Sequence, residues 1–273
     1  MENKKKLVGI GVAVLACAAV GVTFFMRRAP APAPEPVVQA PVPPPPLPPP
    51  AAPKAPEVIH PPQPANLEQS DEMLQARAKD LSSFPLLSQW LKTGDMVRRT
   101  VAAVDVIAQG KSPRQSLGFL SPKKKFLTKK KGDKLYLDPR GYARYDAVAE
   151  GFQSLNTQAT VKLIQEWAPL FKAASQELDT PRRDFTQNLV QAINELLKTP
   201  IVERPIPLRE KVISCAIEPE EDANFEELSA AQKHLLRMGP KNTAKIQSKL
   251  REFARGLGVT EDQLPRPVIY SAK

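Results

Sequence analysis

The hydrophobic pattern of the chain changes twice. From Leu7 to Met26 it runs for 20 residues without a charge, with Lys4, Lys5 and Lys6 before it and Arg27 and Arg28 after it. As a helix rising about 1.5 Å per residue, such a run matches the roughly 30 Å of bilayer hydrocarbon. Residues 7–26 are therefore expected to be a transmembrane anchor behind a basic tail, residues 1–6. A cleaved signal peptide would carry an apolar region of only about 7–15 residues. Proline at position 32, just past Ala29-Pro30-Ala31, also opposes cleavage. Val14-Leu15-Ala16-Cys17 resembles a lipoprotein cleavage site, but the chain stays apolar from there to Met26. A Cys packed in a membrane helix is the expectation. The positive-inside tendency, three Lys against two Arg, favours a cytoplasmic N-terminus and an exported remainder.

Beyond the span all periodicity stops. Of 30 prolines, 17 fall within the 36 positions from Ala29 to Pro64. Residues 27–65 read as a linker whose tract Ala29–Pro64 is polyproline II, and at about 3.1 Å per residue its 36 residues could reach roughly 110 Å. It is expected to act as a stalk. The twofold excess of proline over the usual roughly 5% is thus local.

From Asn66 onward the pattern becomes helical. Asp95 is placed to cap a helix through Ala108, with Val97, Val101, Val104 and Ala108 on one face and Gly110 closing it. Tyr142, Tyr145, Ala149, Phe152 and Leu155 recur at helical spacing. Thr157 can cap a long helix striped by Val161, Ile164, Trp167, Phe171, Ala174 and Leu178, kinked at Pro169. Thr180-Pro181 is placed to open the next, with Phe185, Leu189, Ile193 and Leu196 inside. Ser229-Ala-Ala-Gln232 is a capping box. Gly239 ends that helix, and Pro240 begins another striped by Ile246, Leu250, Phe253 and Leu257. Strand signal is confined to Lys125–Thr128 and Lys134–Leu137, flanking Lys131-Gly132-Asp133, and to Val212–Ile217. The expected fold is mainly α: one helical domain over residues 66–258 with a minor β-hairpin or small sheet, followed by a C-terminal tail, residues 259–273.

The charge of +10 is also local. Ser121 to Tyr145 holds nine basic and two acidic residues, a net +7, which equals the net charge of everything after Ala65. Lys123, Lys124, Lys125, Lys129, Lys130, Lys131 and Lys134 crowd the expected hairpin and form a candidate anion-binding patch. A solvated turn is the plain alternative. Anionic lipid could be attracted at about 1 kcal/mol per charge. Ser121-Pro122-Lys123-Lys124 looks like a minor-groove element, but one copy without interleaved aromatics disfavours nucleic acid.

No catalytic set stands out. Two Cys and two His leave little for a metal site, and neither a metal nor a cofactor is expected. Gly110-Lys111-Ser112 lacks the first glycine and the preceding strand of a P-loop. Lys92-Thr93-Gly94 and Ser121-Pro-Lys-Lys124 stand in the wrong order for a penicillin-binding enzyme. His234 is expected to be an ordinary helical histidine, and Cys215 has no histidine partner. The acidic run from Glu218 to Glu227 is suited to favour the following helix N-terminus. What remains are Arg98, Arg99, Asp105, Tyr142, Arg144, Tyr145, Asp146, Arg237 and Asn242. They form either ion pairs that dock the helices or a shared polar groove.

These residues carry a resemblance. Asp95-Met-Val-Arg98-Arg99 with Asp105 and Gly110, Tyr142-Ala-Arg144-Tyr145-Asp146, and Leu197-Lys-Thr199-Pro200 leading to Pro205-Ile206 are similar to the bacterial family catalogued as domain of unknown function 3014. So is Leu228-Ser-Ala-Ala-Gln232-Lys233 with Leu235-Leu236-Arg237-Met238-Gly239-Pro240-Lys241-Asn242. The similarity runs from about residue 70 to 257. It implies an anchor and a proline-rich spacer, and it carries no activity or assigned site. Layout also parallels energy-coupling periplasmic proteins of the TonB type and SPOR-domain proteins, by analogy alone.

The expected function is a non-enzymatic binding or scaffolding module of the bacterial cell envelope. It would be single-pass in the inner membrane, with its helical domain periplasmic and directed at an envelope protein or wall component. The alternatives are an envelope hydrolase using carboxylates, and a cytosol-facing domain gripping anionic membrane through the lysine hairpin.

Overall fold

A computed structural model describes residues 66–178, 184–210, 215–217 and 225–271. The expected span at residues 7–26 and the linker at residues 27–65 lie outside the described residues. Among the described residues no helix is long and apolar enough to cross a membrane. The domain is mainly α. Its elements run α1 (Leu67–Ala76), α2 (Ala78–Leu81), α3 (Leu87–Leu91), α4 (Met96–Ala108), β1 (Thr128–Lys131), β2 (Lys134–Leu137), α5 (Asp146–Gln153), α6 (Thr157–Glu166), α7 (Ala168–Glu177) and α8 (Phe185–Leu197). Then follow β3 (Ile201–Val202), β4 (Pro207–Glu210), β5 (Cys215–Ile217), α9 (Ala230–Leu236), α10 (Pro240–Gly256) and β6 (Ile269–Tyr270).

The apolar stripes become three cores. One joins α1, α4, α7 and α8 through Leu74, Val97, Val101, Val104, Trp167, Phe171 and Phe185. The second gathers Ala149, Val161, Ile193, Leu197, Leu235, Leu250 and Phe253 from α5, α6, α8, α9 and α10. The third backs the sheet with Leu135, Leu137, Ile206, Leu208, Ile217, Phe225 and Leu236. Neighbouring residues of α9 thus enter different cores, Leu235 the second and Leu236 the third. That fixes the rotation of this short helix and turns His234 and Arg237 elsewhere, to half-buried positions.

Helix ends follow local chemistry, with corrections to the sequence pattern. The Ser229–Gln232 capping box forms in full. Gly110 closes α4 at φ 71°, where its N–H donates to Ile107 O and the Lys111 N–H to Val106 O, a Schellman pairing. Asp95 precedes α4 but does not cap it with its side chain: it sits in the left-handed region at φ 54°. The helix that Thr157 was expected to cap is capped by Asn156, whose side chain accepts from Ala159 N, because Asn156 holds the extended backbone a cap requires. Thr157 is freed to donate to Glu252. That helix does not continue through a kink. It breaks at Trp167, and Pro169 stands in the first turn of α7, where its missing N–H costs nothing. Thr180-Pro181 lies outside the described residues, and Asp184 caps α8. The stripe from Tyr142 to Leu155 is a 3-10 segment, Pro139–Tyr145, feeding α5.

The four-stranded sheet has the order β1-β2-β4-β5, all antiparallel. The hairpin is real but shifted: its first strand is Thr128–Lys131, not Lys125–Thr128. Lys131 pairs with Lys134 around Gly132 at φ 60°, the sign a tight two-residue turn needs at its first position. The extended stretch expected from Val212 is described only from Cys215 to Ile217. The pattern gave no sign of the parallel pair β3–β6. Through that pair, and through buried Leu264, residues of the 259–273 segment pack onto the domain.

Candidate anion-binding site

The nine polar residues picked from the sequence fall into separate sets of contacts. Arg98, in the first turn of α4, bonds outward to Glu177 of α7 at 2.6 Å, to Glu68 of α1 at 3.2 Å and to Asp95 at 3.2 Å. Those bonds raise the Arg98 pKa further and hold Glu177 below the usual carboxylate range. Arg99 turns back to donate to Gly94 O at 2.9 Å. Asp105 accepts from Gln109 at 2.8 Å and from Asn188 of α8 at 3.3 Å. These contacts dock α4 against its neighbours.

A second set surrounds the turn between α9 and α10. Asn242 is buried, and its amide donates to Asp146 Oδ1 at 2.9 Å, Met238 O at 3.0 Å and Tyr142 O at 3.3 Å. One amide therefore ties α10, the α9–α10 turn, α5 and the 3-10 segment together. Tyr142 packs its ring against Gly239, and burial pushes its phenol above the ordinary tyrosine value.

Beside this joint stand arginines with no carboxylate partner among the described residues. Arg237 stands at the end of α9, half-buried, with a long bond from Nη1 to Lys233 O at 3.5 Å. Desolvation pulls its pKa down, Tyr145 partly offsets this, and the charge of Arg114 pulls it further down. Arg144 is sandwiched near the rings of Tyr145 and Phe126, with its guanidinium 4.6 Å and 5.2 Å from their centroids. Its Nη2 donates to Tyr145 Oη at 2.7 Å and Nη1 to Lys124 O at 3.4 Å, while its buried Nε has no partner among the described residues. One turn before Arg237, His234 Nε2 lies 2.7 Å from Ser112 Oγ. Burial, then the charges of Arg237 and Arg114, hold its pKa below the ordinary histidine value. Among the described residues, no carboxylate forms an ion pair with Arg114, Arg144 or Arg237.

Three elements build this corner. Arg114 and Ser112 come from the loop after α4, which is pinned at its start by the Ala231 N–H donating to Gly110 O. His234 and Arg237 come from one face of α9 at a spacing of three. Arg144 and Tyr145 come from the 3-10 segment. Arg114 escaped the sequence pattern because nothing local marks it: it reaches the corner only through the Gly110 turn. His234 looked ordinary because its neighbours are distant in sequence.

All seven lysines of the hairpin region, Lys123, Lys124, Lys125, Lys129, Lys130, Lys131 and Lys134, are exposed. Arg144 links that run to the corner through Lys124 O and Phe126, so the two candidate regions adjoin.

The fold defines a mainly α domain with a small sheet, and among the described residues its cationic joint has no carboxylate partner. The family model described as "Protein of unknown function (DUF3014)" matches residues 96–254, more than half of the chain. The chain belongs to this family, as its α4, 3-10 and α9–α10 motifs implied. No curated protein and no solved structure matches it.

Proposed function

We propose that this chain is a membrane-tethered, non-enzymatic binding module of the cell envelope. Its partner would be an acidic envelope protein or wall component, received at the corner formed by Arg114, Arg144 and Arg237. The tether rests on the uncharged run Leu7–Met26 and the proline tract after it. The binding role rests on one observation: half-buried Arg144 and Arg237 have no carboxylate partner among the described residues. A desolvated guanidinium without a counter-ion is costly, and an anionic partner offsets that cost.

The hydrolase alternative draws no support from its two best acids. Asp105 is bonded to Gln109 and Asn188 between α4 and α8, and Asp146 to Asn242 beside α10.

Two measurements on the full chain test the proposal. A reporter fused after Lys273 should be active only outside the cytoplasmic membrane. A photo-crosslinker placed at exposed Gln115, beside Arg114, should capture an envelope component. A reporter active only in the cytoplasm would overturn the envelope reading and favour the lysine hairpin on the inner leaflet.

A further inference from the structure

We propose that the β1–β2 hairpin and the basic segment leading into it form a docking surface for the anionic phospholipid of the bilayer that holds the anchor. This rests on the tether proposed above and goes beyond the partner proposed for the corner.

The strand register sorts the side chains. Residues paired across antiparallel strands share a face. Lys129 with Tyr136 and Lys131 with Lys134 therefore lie on one face, and Thr128 with Leu137 and Lys130 with Leu135 on the other. Leu135 and Leu137 are buried in the core that backs the sheet, which makes the first face the outer one. Lys129, Lys131 and Lys134 stand together on it. Lys130 is exposed as well, because β1 is the edge strand. Every residue from Lys123 to Lys134 is exposed. None of the seven lysines forms an ion pair among the described residues. Of the two acids in this stretch, Asp138 is buried and held by Arg140, so Asp133 alone is left to oppose them.

Guarding an open sheet edge accounts for lysine on β1. It does not account for Lys134 on the inner strand β2, or for Lys123, Lys124 and Lys125 ahead of β1. It also leaves Lys131 directly opposite Lys134, a like-charge pair that destabilises a hairpin. An anionic surface offsets that repulsion.

Two features select a bilayer over an acidic protein. Phe126 and Leu127 sit between two runs of three lysines and are 37% and 41% exposed. At a membrane interface such apolar side chains enter the headgroup boundary while lysine reaches the phosphates. Lysine is also a hydrated point charge on a flexible stem. It suits the diffuse field of many headgroups better than the two-point geometry of one carboxylate. The tether makes docking intramolecular, so a modest attraction suffices.

The test is acetylation footprinting of the full chain in nanodiscs, with lysine modification read by mass spectrometry. Discs of phosphatidylcholine are compared with discs of equal parts phosphatidylcholine and phosphatidylglycerol. The seven lysines should be modified several-fold more slowly on the anionic discs. Exposed Lys79, Lys92 and Lys172, elsewhere in the chain, should react equally on both. Protection should fade as salt screens the field. Lys129→Gln, Lys131→Gln and Lys134→Gln combined should abolish the protection of Lys123, Lys124 and Lys125. All three side chains are exposed, and circular dichroism checks that the fold is kept. Leu127→Ser separates a bilayer from a polyanion. It should weaken protection on anionic discs and leave unchanged the protection that soluble polyglutamate gives on neutral ones. Equal modification on both discs, or protection spread evenly over all exposed lysines, would overturn the proposal. So would a Leu127→Ser variant that behaves as the parent does, which would favour an acidic polymer. Failure of the chain to enter discs of either kind would overturn the tether, and this proposal with it.

Discussion

Asp71 caps a helix to which it does not belong. Its carboxylate, on α1, accepts the backbone N–H of Asp95 at 2.5 Å and that of Met96 at 2.9 Å, closing the N-terminus of α4. Asp95 occupies the position before that helix but is turned to φ 54°, and its own carboxylate pairs with Arg98. Asp71→Ala should therefore cost about 1–2 kcal/mol, the usual worth of an N-cap. Asp71→Asn, which keeps an acceptor oxygen, should lose less. Urea unfolding followed by the fluorescence of buried Trp167 reads both.

The turn between α9 and α10 admits only glycine at position 239. Gly239 has φ 85°, and a Cβ there would lie 2.5 Å from Tyr142 Cδ2. Gly239→Ala should lose about 2 kcal/mol or more, combining the left-handed backbone penalty with overpacking against the ring. Adding Tyr142→Ala should recover the overpacking part and leave the backbone part. The double variant should then fall short of the sum of the two single losses, a coupling that a double-mutant cycle measures directly.

Those two contacts also show what the sequence could and could not reveal. Ser229–Gln232, Gly239-Pro240 and the stripes of α4 and α10 are local, set by capping residues and by a period of 3.6, and they were legible. Asn156 against Thr157 was not decided by residue type, since both residue types cap well, but by which one held the extended backbone. Asp71 on α4 is invisible because its partner lies 24 residues away. The corner was half legible: Arg144, Tyr145 and Arg237 stood out as polar groups in apolar helices. Arg114 and His234 join them only through tertiary packing. The pairing of β3 with β6 could not be read at all, because two-residue strands leave no period.

Asn242 should be intolerant of its nearest isostere. Its Nδ2 faces three oxygens, those of Asp146, Met238 and Tyr142. Asn242→Asp replaces the donor with an acceptor and sets a carboxylate among them in a buried place. The expected loss is about 3 kcal/mol or more, larger than for Asn242→Ala, because like partners are then desolvated together. Denaturant midpoints of the two variants should fall in that order, and the reverse order would mean that the amide bonds contribute little beyond filling space.

His234 should make the domain acid-sensitive in a defined direction. It faces Arg237 on its own helix, Arg114 and Ser112 from the loop after α4, and its pKa lies below the ordinary histidine value of 6.5. Burial is the larger cause and the two arginines add to it. Between the depressed folded value and the ordinary unfolded one, the unfolded chain binds the extra proton. The His234 contribution to stability is therefore fully present above about pH 6.5 and is lost as pH falls through the folded value. His234→Gln keeps a side chain that can bond Ser112 and removes the titration. Unfolding free energy measured across this window in phosphate-free buffer should fall for the wild type and less steeply for His234→Gln. Identical slopes would mean that the ring is solvated in the folded protein and that the arginine charges do not reach it.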